Sequence, residues 1–142
     1  IPASTSSANP PTIFGAEASV RNIVLESGAR MRIHDNTLNV SGNWSNNGDL
    51  QMDPGLSKIN FIGSSKNILT GGVQNFENVQ VQNSAGIILE SGTYNIYGAL
   101  YPEAGSITTN DNLVIASNSS ATGRIMTMPV QCSTPKTFYI PM

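Results

Sequence analysis

Charge is scarce in this chain. Asp, Glu, Lys and Arg make up 11% of its 142 residues, and the net charge at pH 7 is −2. Soluble domains usually carry about 25%. The seven Lys and Arg are scattered, so no basic patch can gather a phosphate backbone, and nucleic acid is not an expected partner. Cysteine occurs once, as Cys132. No disulfide can close within the chain, and the CxxC and Cys-His spacings of zinc sites are missing. Cys132 reads as a small buried hydrophobe, with pairing to a segment outside the chain as the alternative. No apolar run reaches the roughly eighteen residues of a helical membrane span. No segment holds apolar residues at spacings of three and four over ten positions, so almost no helix is expected.

Neutral Asn, Ser, Thr and Gly stand where the charges would be, and within them one motif returns. Ile23-Val24-Leu25-Glu26-Ser27-Gly28 is echoed by Ile87-Ile88-Leu89-Glu90-Ser91-Gly92, 64 residues later. Three units of about 21 residues span that distance, a period at which repeats build solenoids. A unit so short cannot close its own core; stacked on its neighbours it buries a continuous apolar column.

Short alternating runs fit such units. Leu38-Asn39-Val40, Leu50-Gln51-Met52, Ile59-Asn60-Phe61, Val79-Gln80-Val81 and Ile96-Tyr97-Gly98 read in-out-in, while Ile87-Ile88-Leu89 and Leu113-Val114-Ile115 are continuous. Turn residues separate them: Ser41-Gly42-Asn43, Asp53-Pro54-Gly55, Gly63-Ser64-Ser65, Ser84-Ala85-Gly86 and Ala104-Gly105. Strands this short, with corners this close, predict an all-β right-handed parallel β-helix, or β-solenoid, with rungs of about twenty residues. Asn and Ser at the corners suit it, because like polar side chains can ladder from rung to rung. An irregular β-sandwich is the alternative.

Residues 1–12, rich in Pro, Ser and Thr, read as an arm or linker, and 13–142 as one solenoid domain. The chain starts at Ile1 without a signal peptide's basic end and apolar core, so a mature or excised form, or one whose start was removed, is expected. Phe138-Tyr139-Ile140 reads as an apolar strand without a polar cap after it. An uncapped strand is an adhesive edge, so the parent polypeptide is expected to continue or this strand to assemble on a partner.

Residues 38–48, LNVSGNWSNNG, resemble the "l-v-s-G-N-W-t-N-N-G" segment of large surface and secreted proteins of Bacteroidetes. Ile59-Asn60-Phe61-Ile62-Gly63 is similar to their "v-x-F-x-G" strand, and Phe76 to Asn83 to "F-x-N-L-x-I-N-N". The likeness continues in order through Gly86–Leu100 and Leu113–Ile125, covering roughly residues 20–126. Met31-Arg32-Ile33-His34 and Ala99-Leu100-Tyr101-Pro102-Glu103 depart from the family's usual filler. The resemblance implies adhesin-like cargo of the type IX secretion route, normally closed by a C-terminal sorting domain, at the bacterial cell surface or beyond it.

Few side chains invite chemistry. His34-Asp35 is the one His–carboxylate neighbour pair, but no Ser stands out as its nucleophile, so it reads as a corner histidine capping a turn. Glu26 and Glu90 hold equivalent positions in the echo; three rungs at about 4.8 Å would part them by about 14 Å, beyond the 5–10 Å of paired glycosidase carboxylates. Asp49, Asp53 and Asp111 with neighbouring Asn carbonyls could take adventitious calcium; no other cofactor is expected. Trp44, Tyr94, Tyr97 and Tyr101 could form an aromatic contact strip for sugar rings, although Trp44 also suits a core end-filler.

The expectation is therefore a non-enzymatic extracellular structural or adhesive module. Its partners would be further domains of its polypeptide, copies of itself, or surface glycans. A self-assembling extracellular filament subunit using terminal strands and a polysaccharide-binding or polysaccharide-active β-helix are the alternatives.

Overall fold

Alternation sets the strands. A computed structural model of the chain describes Ile1, residues 9–119 and residues 121–126. The chain is all-β, without helix among the described residues. In order come β1 (Thr12–Ile13), β2 (Ala18–Val20), β3 (Ile23–Leu25), β4 (Arg30–Ile33), β5 (Thr37–Val40), β6 (Trp44–Asn46), β7 (Asp49–Met52), β8 (Lys58–Phe61) and β9 (Asn67–Gly71). They are followed by β10 (Val73–Phe76), β11 (Asn78–Val81), β12 (Ile87–Leu89), β13 (Thr93–Ile96), β14 (Ala99–Pro102), β15 (Ile107–Thr108), β16 (Leu113–Ile115) and β17 (Arg124–Ile125).

Every third strand pairs in parallel with its predecessor, so the chain winds around three faces. The first face is a six-stranded sheet, β2-β5-β8-β11-β14-β17, and the second a five-stranded sheet, β3-β6-β9-β12-β15. The third is divided into β1-β4-β7 and β10-β13-β16. This is a β-solenoid of about five turns repeating at about 20 residues.

Register shows why these residues build it. On the first face Ala18, Leu38, Ile59, Val79, Leu100 and Ile125 fall in one inward column. Val20, Val40, Phe61, Val81 and Pro102 form the next. Between them Ser19, Asn39, Asn60, Gln80 and Tyr101 point outward. Strand side chains alternate faces, so a polar residue between two apolar ones keeps both columns apolar. Trp44, Phe61, Phe76 and Tyr94 lie at the centre, each fully or almost fully buried. Trp44 stands edge-on to Phe61 at 6.4 Å and to Phe76 at 5.6 Å, and Phe76 is tilted against Tyr94 at 6.0 Å. Edge-on contacts align positive ring edges with negative ring faces.

Two strand expectations are corrected. Ile96-Tyr97-Gly98 is not a strand. Thr93–Ile96 is, with Tyr94 and Ile96 inward, and Tyr97-Gly98 form the corner that follows. The echo lies three rungs apart, but its two copies do not stack in line. Ile23 stacks on Trp44, Trp44 on Leu69, and Leu69 on Leu89 rather than Ile87. The rung between Trp44 and Leu69 is longer, because its corner grows from residues 41–43 to residues 62–66 and β9 starts two residues earlier. A shift of two keeps inward side chains inward.

The division of the third face, between β7 and β10, coincides with this change of rung. A buried polar cluster bridges it. Gln74 Oε1 accepts from Asn46 Nδ2 at 2.6 Å and from the Trp44 indole at 3.4 Å. Gln74 Nε2 donates to the Asn46 carbonyl at 2.7 Å, which also accepts from Gly72 N at 3.1 Å.

Candidate functional site

Two surface features gather chemistry-bearing side chains: an ionic cluster at the end of the third face and an amide ladder on the first. The cluster follows from the β4–β7 register. Ile33 pairs with Met52, so the residues that follow, His34 and Asp53, emerge side by side at the corner. The loop after β7 is fastened from three sides. Asp53 N donates to Ser57 Oγ at 2.7 Å, and that hydroxyl donates to the Ile33 carbonyl at 2.7 Å. Gly55 N donates to the buried Glu77 carboxylate at 2.8 Å, and Asn78 Nδ2 donates to the Gly55 carbonyl at 3.2 Å.

Within the cluster Arg32 clamps Asp53. Its Nη2 reaches Oδ1 at 2.9 Å and Oδ2 at 3.2 Å, and its Nε reaches Oδ1 at 3.2 Å. His34 Nδ1 hydrogen-bonds Asp53 Oδ2, while its Nε2 faces Asp35 Oδ2 at 3.7 Å. The Asp53 side chain is 19% exposed, against 44% for His34 and 46% for Asp35. Burial pushes the Asp53 carboxyl up, but the hydrogen bonds and charges of Arg32 and His34 outweigh it and hold the group below its ordinary value. Asp35 itself sits in the left-handed region at φ 50°, which Asp tolerates better than most residues.

The ladder runs up the outer side of the six-stranded sheet. Asn60 Nδ2 donates to Asn39 Oδ1 at 3.0 Å and to Gln82 Oε1 at 2.8 Å. Gln82 and Gln80 each donate to one oxygen of Glu103, both at 2.7 Å. Tyr101 continues the same outward column beside Gln80 and is half-buried. A second amide pair, Asn95 with Asn75 at 2.9 Å, repeats the pattern on the third face.

The expected aromatic strip does not form as a unit. Trp44 is fully buried and Tyr94 is 1% exposed, so neither can touch a ligand. Both occupy inward strand positions, where a large ring fills the solenoid's interior. Tyr94 lends its hydroxyl to the Ser91 carbonyl at 2.8 Å. Burial first, and then the Glu90 charge, push that hydroxyl's pKa well above the tyrosine norm. Tyr97, in the corner before β14, and Tyr101, on β14, remain at the surface, half-buried.

The calcium trio is not brought together either. Asp49 pairs with Arg30 at 3.5 Å, Asp53 with Arg32, and Asp111 lies between β15 and β16. Among the described residues, the group of three able to hold a metal is His34, Asp35 and Asp53. Glu26 and Glu90 are both exposed, on rungs three apart. Phe138, Tyr139, Ile140 and Cys132 lie outside the described residues. Sequence reasoning paired His34 with Asp35 and grouped Asp53 with Asp49 and Asp111, and so missed that Asp53 and Arg32 stand with His34. The signal was the separation of one rung between His34 and Asp53, readable only once the β4–β7 register is known.

No family model, no curated protein and no solved structure matches this chain.

Proposed function

We propose that the chain is a non-enzymatic, extracellular structural and adhesive module of a bacterial cell-surface or secreted protein. The observation that carries this reading is the amide ladder. Ser19, Asn39, Asn60, Gln80 and Tyr101 repeat one uncharged outward position on successive rungs, with Glu103 beside them, so the sheet presents a polar face at a regular spacing. Side chains already bonded to one another lose little freedom when they meet a ligand, and many weak contacts in a row add by avidity. The sparse charge and the resemblance of residues 20–126 to Bacteroidetes surface proteins support the location and the bacterial source. The resemblance also implies export by the type IX route.

Surface glycans are the partner this face suits. Tyr101 supplies a ring for a sugar face, and the amides and Glu103 supply donors and acceptors for hydroxyls. Binding of the full chain to immobilised neutral polysaccharides tests it. Retention is expected, weakened roughly tenfold in Tyr101→Ala, with no shortening of the polysaccharide. Release of oligosaccharides would overturn the non-enzymatic reading, and equal retention of Tyr101→Ala would overturn the assignment of the face.

A second reading, a self-assembling filament subunit, is favoured by the solenoid's ends. Ile13, Ala18 and Val20 at one end, and Ile107, Leu113, Ile115 and Ile125 at the other, are only partly buried against the core. Phe14, beside the first of these, is 72% exposed.

A further inference from the structure

We propose that His34 and Asp35 hold one divalent transition-metal ion of the zinc class at the corner between β4 and β5, with Asp53 and Arg32 as positioning residues. The inference does not depend on the adhesive reading. It starts from which ring nitrogen carries the proton. Asp53 is clamped by the Arg32 guanidinium through Nε and Nη2, so its carboxylate is an acceptor only. His34 Nδ1, bonded to Asp53 Oδ2, must then be the N–H. In the neutral ring the lone pair is left on Nε2. A carboxylate behind one ring nitrogen is the usual support of a metal-binding histidine, fixing its tautomer and raising its basicity.

A second acceptor, Asp35 Oδ2, stands 3.7 Å from Nε2. That separation is too long for a hydrogen bond. It suits two donors sharing one ion, since bonds of about 2.0–2.2 Å allow ligand atoms to stand up to about 4 Å apart. The Arg32 guanidinium is committed to Asp53 through Nε and Nη2. An imidazole ligand selects zinc, copper or nickel over calcium and magnesium, which prefer oxygen alone. His34 is 44% and Asp35 46% exposed, so the remaining coordination positions face solvent. With two protein ligands, one fewer than the three of a catalytic zinc site, the other positions are left to water or to a ligand from outside.

The test is a zinc titration of the metal-free, untagged full chain by calorimetry, with nitrogen-15 spectra of the His34 ring. One ion per chain is expected, with the Nε2 resonance shifting on binding and magnesium failing to compete. His34→Gln and Asp35→Asn should each weaken binding at least roughly tenfold, while Cys132→Ser leaves it unchanged. Asp53→Asn, whose amide can offer either an oxygen or an N–H to the ring, should mix the two ring tautomers in the metal-free spectrum and weaken zinc without changing stoichiometry. The proposal is overturned by no binding at millimolar zinc. It is also overturned by binding that survives both His34→Gln and Asp35→Asn, or by loss of binding in Cys132→Ser alone.

Discussion

At the scale of single residues, the interior is held to one register by polar side chains placed among apolar ones. Gln74 is 1% exposed, yet both ends of its amide are bonded. Replacing it with Leu keeps most of the volume but leaves Asn46 Nδ2 and the Trp44 indole without an acceptor. Each unpaired buried donor costs about 1–3 kcal/mol. Urea unfolding should therefore show a clear loss of stability for Gln74→Leu. Gln51→Leu, on the exposed side of β7, should stay within about 0.5 kcal/mol. Equal midpoints for the two variants would mean that the cluster is not structural. Tyr94 makes a pH prediction. Its folded pKa is raised, so above pH ~10 the unfolded chain releases a proton that the folded chain keeps. Stability contributed by the neutral hydroxyl is complete below pH ~10 and falls as pH rises beyond it. Tyr94→Phe should be less stable at neutral pH, having lost the bond to Ser91, but should show a shallower alkaline decline. Identical slopes of melting temperature against pH would sink this account.

At the scale of strands and corners, the division of the third face depends on glycine at the end of β9. Gly71 has φ 139°, and a Cβ there would run into the Asn46 backbone, the carbonyl that Gln74 and Gly72 both use. Gly55 also has a positive φ, 84°, but a Cβ there would meet nothing within 4 Å. Gly55→Ala should cost only the conformational penalty, about 1 kcal/mol. Gly71→Ala should cost well beyond that, because backbone of the neighbouring rung must move as well. Comparable melting temperatures for the two would show that the close approach is not required. The same corner marks where the sequence is easy to read and where it is not. β5, β8 and β11 are visible in the letters because apolar, polar and apolar residues alternate cleanly over Leu38–Val40, Ile59–Phe61 and Val79–Val81. β9 and β10 are not, because Asn67 and Gln74 point inward and break the alternation that would reveal them. Those inward amides are legible only as partners. Asn67 donates to the Gly42 carbonyl and accepts from Asn83 at 2.7 Å, contacts between neighbouring rungs. The candidate site was half-visible for a related reason. Arg32, His34 and Asp35 lie within four positions of the chain, whereas Asp53, the group that ties Arg32 to His34, joins them only through the pairing of β4 with β7.

At the scale of the whole molecule, the ends decide how the module is used. Among the described residues, the strands at the solenoid's two ends have two or three residues: β1, β2 and β3 on one side, β15, β16 and β17 on the other. Strands that short offer few backbone bonds to a neighbour, and short edges are one means by which sheets avoid joining. The apolar columns argue the other way, since Ile13, Val20, Leu113 and Ile115 are only partly covered and Phe14 is exposed. Parallel rungs of one period can continue from one copy into the next without changing register, and a heterologous contact that does not close produces a filament. Light scattering over a wide concentration range separates the two. Self-association of the full chain that rises with concentration, and that Phe14→Lys suppresses without lowering the melting temperature, is expected if the ends are assembly surfaces. A mass that stays monomeric throughout would remove the filament reading. It would leave the adhesive reading, with the face of Asn39, Asn60, Gln80 and Tyr101 as the place to look for a ligand.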